Sequence, residues 1–243
     1  MRASTYARRC ALEILRDPIN LFFGLGFPLL LLLLLSAIGR GAPVELFQIE
    51  SLAPGVAVFS LSFLTLFSAT LIARDRESAL LLRLYTTPMR ARDFILGYTL
   101  PLLPIALLQG IVCFLSAIPL GLACSPRLLV AWIMLLPIAW LQIALGLLFG
   151  SILSVKQVGG VCGALLTNLS AWLSGVWFDL ALVGRGFEAF AACLPFSHAT
   201  ALVRAAVAGE LSESLFHLFP ILLYAAALSA LAVALFVRQM KKQ

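Results

Sequence analysis

Charge is scarce in this chain. Asp, Glu, Lys and Arg make up 12% of its 243 residues, only two residues are His, and the charges gather between long apolar runs. Other absences exclude classes of activity. No G-x-x-x-x-G-K-[ST] occurs, so the chain has no phosphate-binding loop with which to use a nucleotide. It also lacks H-E-x-x-H, a G-x-S-x-G beside a usable base, and a carboxylate pair within an apolar run, so catalysis by this polypeptide is not expected. Cys10, Cys113, Cys124, Cys162 and Cys193 follow neither a C-x-x-C nor a zinc-like spacing and read as small hydrophobes, which leaves no metal or cofactor site to propose. The net charge of +6 is not interleaved with aromatics in a basic patch, so no nucleic-acid partner is expected.

What is present is apolar: 62% of the residues are hydrophobic and the mean hydropathy is +1.06. Such runs are long enough to cross roughly 30 Å of hydrocarbon. The chain reads as an all-α integral membrane protein with six transmembrane helices at about 19–39, 54–73, 94–119, 128–154, 157–178 and 215–237. The run at Leu29–Leu35 could be the core of a signal peptide, but the long charged segment before it favours a first span. Segments 1–18, 74–93, 155–156 and 238–243 hold thirteen of the seventeen Lys and Arg residues, so both termini are expected in the cytoplasm. No Asp, Glu, Lys or Arg lies inside the six runs, and His198 and His217 fall outside or at their edges. Proton coupling is therefore not expected, while sodium coupling through the carbonyls of broken helices stays open.

The segment 74-RDRESALLLRLYTTPMRARDF-94 places eight charges between the second and third runs. Burying them would cost over ~20 kcal/mol on an insertion scale, so the segment belongs at the cytoplasmic surface. Glu77, Leu81 and Leu84 share a helical face, and Arg76, Arg83 and Arg90 recur every seven residues across Pro88, which predicts a short surface helix at about 76–87. Arg76-Glu77, the Leu-rich turn with Leu81, Thr87-Pro88 and Gly97 in 93-DFILGYTL resemble the first cytoplasmic loop of ABC-2 type transporter permeases. In that family the loop is a coupling helix that docks on a separate ATP-hydrolysing subunit. The resemblance implies such a role for Arg76, Glu77, Leu81, Arg83, Thr87 and Pro88.

Two further segments are similar to the same family. In 2-RASTYARRCALEILRDP-18, Tyr6, Cys10 and Ile14 share one face and Arg9 and Glu13 form an i,i+4 pair, which predicts an interfacial helix over 1–18. Residues 179–214 are too long for a tight turn and too broken to cross, and read as an outer re-entrant helical hairpin, with Ser197 as the cap of its second helix before Gly209. Gly146 with Gly150 and Gly159 with Gly163 have small-xxx-small spacing, read as packing within the chain or as a dimer contact. Phe59, Phe63, Gln142, Asn168, Trp172 and Trp177 are the candidate lining of a substrate path.

The resemblance implies a single permease domain over 1–243 that pairs with a second permease subunit, as a homodimer, and with an ABC ATPase that carries the ATP and magnesium. A bacterial or archaeal cytoplasmic membrane is the expected location, with lipid around it. Few charges at membrane depth point to an amphiphilic or hydrophobic cargo such as a drug, antibiotic or lipid, moved outward. A self-sufficient secondary carrier and a non-transporting membrane scaffold are the other readings.

Overall fold

The computed structural model describes residues 2–41, 45–78 and 91–242, and every regular element among them is helical. The N-terminal helix α1 is Arg2–Leu15. Helix α2 runs through Pro18–Leu21, a π-helical turn at Phe22–Gly26 and Phe27–Gly41. Helix α3 is Ile49–Glu77, α4 comprises Ala91–Thr99 and Leu102–Ala117, and α5 is Pro126–Gly150. Helix α6 is built from Val155–Val158, a π-helical stretch Gly159–Leu166 and Thr167–Leu173. The hairpin helices α7 (Arg185–Ala192) and α8 (Pro195–Ala208) precede α9 (Leu211–Lys242).

Among the described residues, five helices are long and apolar enough to cross a membrane: Phe22–Gly41, Ile49–Glu77, Asp93–Leu120, Pro126–Gly150 and Leu211–Leu235. They match five of the six expected runs. The sixth, expected at 157–178, forms α6 but is not among the five, because Lys156, Gln157, Thr167 and Asn168 dilute its hydropathy. At 1.5 Å per residue, 155–173 is nevertheless roughly 28 Å long.

Helix α3 is the centre of the bundle. The apolar window of α3 is 89% buried, against 22% for α2 and 17% for α9, which lie outermost. Around α3 pack α2, α4, α5, α6 and α8. Glycine permits the closest of these approaches. A Cβ at Gly146 would collide with Ser68 Oγ and the Thr65 carbonyl, and one at Gly150 would lie 2.6 Å from the Ala69 carbonyl oxygen, so this pair packs α5 on α3 within the chain. Gly159 has nothing within 4 Å, and Gly163 meets only the Leu66 side chain.

The hairpin bends by 83° between α7 and α8. Pro195 occupies the first turn of α8 and Gly209 ends it at φ 92°, a left-handed conformation that glycine adopts without a Cβ clash. The residue preceding α8 is Leu194, and Ser197 does not cap it: its hydroxyl donates to the Ala191 carbonyl at 2.8 Å instead. At the bend the Cys193 carbonyl accepts from Tyr224 at 2.6 Å, roughly 20 Å along α9 from Leu211. The bend of the hairpin thus lies against the middle of α9, a geometry that a broken span and a re-entrant loop share.

Candidate functional site

The two ends of α3 carry different chemistry. At its C-terminal end, Asp75 is 1% exposed although the sequence places it among surface charges. Three partners cover it. Its Oδ2 accepts from Tyr6 at 2.6 Å, Tyr98 at 2.9 Å and Arg9 Nη1 at 2.6 Å, while its Oδ1 accepts from Arg9 Nη2 at 2.5 Å. Such a shared, charge-assisted set satisfies a carboxylate that burial alone would not tolerate. Burial and then the Asp75 charge hold the Tyr6 phenol well above its ordinary value, so it remains a donor.

This cluster docks α1. The Tyr6, Cys10 and Ile14 face is buried against α4, as its periodicity predicts, and Arg9 pairs with Glu13 at 2.9 Å. Gly97 on α4 gives the Tyr6 ring its seat, since a Cβ there would run into the ring. Arg74 approaches Glu13 at 3.9 Å and Asp17 at 3.5 Å, tying the end of α1 to α3 a second time.

Arg76 and Glu77 end α3 and are bonded within the chain. The Arg76 guanidinium donates to the carbonyls of Ser151 and, at 2.7 Å, Leu153, where α5 ends. Glu77 accepts from the backbone N–H of Val155 at 2.9 Å, where α6 begins. A cation thus meets a helix C-terminus and an anion a helix N-terminus, each the sign that the helix dipole favours. The remaining expected coupling residues, Leu81, Arg83, Thr87 and Pro88, lie outside the described residues.

Farther along α3 the path candidates separate. Phe59 and Phe63 stack edge-on at 5.7 Å, Phe63 meets Phe23 and Phe27 of α2 at 5.9 and 6.0 Å, and Phe59 meets Trp177 at 5.3 Å. These rings form one column from the flank of α2 to the far end of the bundle. Gln142 is apart from it, buried where its amide oxygen and backbone carbonyl accept from Thr65 at 2.9 and 3.0 Å. Asn168 bonds its own helix at the Ala164 carbonyl, and Trp172 is exposed on the flank.

Trp177 also lines a cavity of about 1260 Å³ at the end of the bundle opposite α1. Its walls come from the start of α3, the 122–127 turn, residues 174–182, α7, α8 and the start of α9. Arg204 spans two of these walls, donating to the Ser51 carbonyl at 3.1 Å and the Gly175 carbonyl at 3.2 Å.

Two polar links escaped the sequence reading. Gln109 of α4 donates to the Gly24 carbonyl at 2.9 Å and the Ser60 carbonyl at 3.1 Å, joining α2, α3 and α4 at the π turn. His198 and His217 bring their Nδ1 atoms to 2.9 Å, linking α8 to α9. His198 Nε2 lies 3.0 Å from the Ala192 carbonyl, which can only accept, so in the neutral pair His198 Nδ1 accepts from His217. Only the fold sets histidines 19 residues apart side by side.

Known proteins supply the context for this geometry. No curated protein matches the chain. A family model described as ABC-2 type transporter matches residues 2–208, which include α1, the spans through α6 and the hairpin. That match covers most of a chain built as a bundle of membrane-length helices, so the chain belongs to the ABC-2 type transporter family as a membrane-embedded permease subunit.

Proposed function

We propose that this permease moves an amphiphilic or hydrophobic molecule outward, using ATP and magnesium bound by a separate ABC ATPase. It works as a homodimer in a bacterial or archaeal cytoplasmic membrane, with both termini in the cytoplasm and with α2 and α9 facing lipid or the second copy. The segment after Ser78 meets the ATPase, with Arg83, Leu81, Thr87 and Pro88 at the contact and Arg76 and Glu77 behind it.

The observation that carries this reading is the convergence at the end of α3. Asp75 ties it to α1 and α4, and Arg76 and Glu77 tie it to α5 and α6. A push on the segment that follows is therefore delivered to the central helix and to four neighbours together. Such a junction would carry an ATP-driven shift of packed helices as one body. The exposed Phe23 ring on the flank of α2 and the Trp177 ring in the cavity wall support an apolar cargo, since rings offer area without fixed directional demands.

Charge reversal tests the junction. Glu77→Arg places a cation at the start of α6 and should abolish ATP-dependent export from vesicles containing the permease and its ATPase, while leaving membrane insertion intact. Export at the wild-type rate in that variant would contradict the coupling role.

A further inference from the structure

We infer that the cavity at the end of the bundle opposite α1 binds organic cations that carry aromatic or apolar groups. The inference deepens the export reading by giving the cargo a charge, and its chemistry comes from the cavity walls.

The apolar walls include Phe47, Trp177, Phe178 and Leu180. Phe178 is steadied by Phe187 at 6.4 Å, and Trp177 by Phe59. Indole and phenyl faces attract a cation through the ring quadrupole, most strongly where water is displaced. About 1260 Å³ exceeds the volume of ordinary small-molecule sites, so a cation with several rings fits without rearrangement.

The charged lining has an excess of one sign. Glu50, Asp179, Glu188, Glu210 and Glu213 face two arginines, Arg127 and Arg204. Both arginines already serve the backbone: Arg127 donates to the Ala208 carbonyl at 2.8 Å and Arg204 to Ser51 and Gly175. None of the five carboxylates comes within ion-pair distance of a cation among the described residues, although the Asp179 charge acts on Arg204 and Asp179 accepts from the Ala181 backbone N–H at 3.1 Å. Glu50, Glu188 and Glu213 lie in the first turns of α3, α7 and α9. Glu210 is pushed up by its hydrogen bond to Glu213 and by that residue's charge, which sets these two carboxylates side by side at the rim.

An anionic cargo would meet that excess directly. A neutral one would leave it uncompensated. A cation satisfies the rim while its apolar groups take the aromatic walls.

The test uses the full chain in lipid nanodiscs without the ATPase, with empty discs as the control for partitioning. Tetraphenylphosphonium and tetraphenylborate have nearly the same shape and opposite charge. The cavity assignment expects saturable binding of the cation at least about tenfold tighter than of the anion, one decade being about 1.4 kcal/mol. Substituting Glu188, Glu210 and Glu213 together by Gln should remove most of that preference, and Trp177→Leu should weaken the cation. Equal binding of the two ions to the unmodified protein, which requires no variant to fold, would overturn the assignment, as would unchanged cation affinity in the triple variant. Because no ATPase is present, failure here leaves the ATPase pairing standing, and failure of that pairing leaves a positive binding result intact.

Discussion

Asp75 shows how a single residue can change meaning between sequence and structure. In the chain it belongs to a run of charges beside a span, and nothing local distinguishes it from Arg74 or Arg76. Its burial depends on Tyr6 and Tyr98, which are 69 and 23 residues away. Asp75→Ala removes the common acceptor of two phenols and a guanidinium, and should lower stability by about 3 kcal/mol, the low end for a broken buried pair because Arg9 can rehydrate. Tyr98→Phe, which removes one donor, should cost about 1 kcal/mol. Thermal unfolding in detergent, with trypsin cleavage after Arg8 or Arg9 as a sign of released α1, checks both. Gly97 is the reverse case. The sequence presents it as one letter of a resemblance, and the structure supplies its cause in the Tyr6 ring.

Helices were legible to the extent that their determinants were local. Runs of apolar residues located five spans, and the i, i+4 spacing of Tyr6, Cys10 and Ile14 located the buried face of α1. What pattern could not supply were contacts between distant segments: the capping of α5 and α6 by Arg76 and Glu77, the histidine pair, and the separation of Gln142 and Trp172 from the Phe59–Trp177 column. The glycine pairs looked alike in the sequence, yet only one is pressed against backbone. Gly146→Ala should therefore cost about 2–3 kcal/mol by overpacking α5 on α3. Gly159→Ala, with open space around it, should be neutral or stabilising by up to about 1 kcal/mol. Melting temperatures of the two variants, compared in one detergent, separate these outcomes.

At the scale of the whole molecule, α3 joins two ends with different chemistry. One end gathers α1, α4, α5 and α6 around the Asp75–Glu77 stretch, and the other opens into the cavity beside α8. Native cysteines report which side of the membrane each end occupies. Cys124 is exposed at the cavity end, whereas Cys10 is buried at the α1 end with its thiol pushed up to about 12, mainly by burial and then by Asp75. A membrane-impermeant maleimide applied to whole cells should label Cys124 and spare Cys10, Cys113 and Cys162, which are buried. Labelling of Cys124 only after the membrane is opened would reverse the orientation. The central claim is that this bundle is driven by a partner's ATP. Its most direct test is affinity purification from native membranes in mild detergent, with identification of the accompanying chains and assay of ATP hydrolysis. The account predicts a stoichiometric nucleotide-binding subunit with vanadate-sensitive hydrolysis. A permease that purifies alone and inactive, under conditions where a control ABC complex survives, would contradict it.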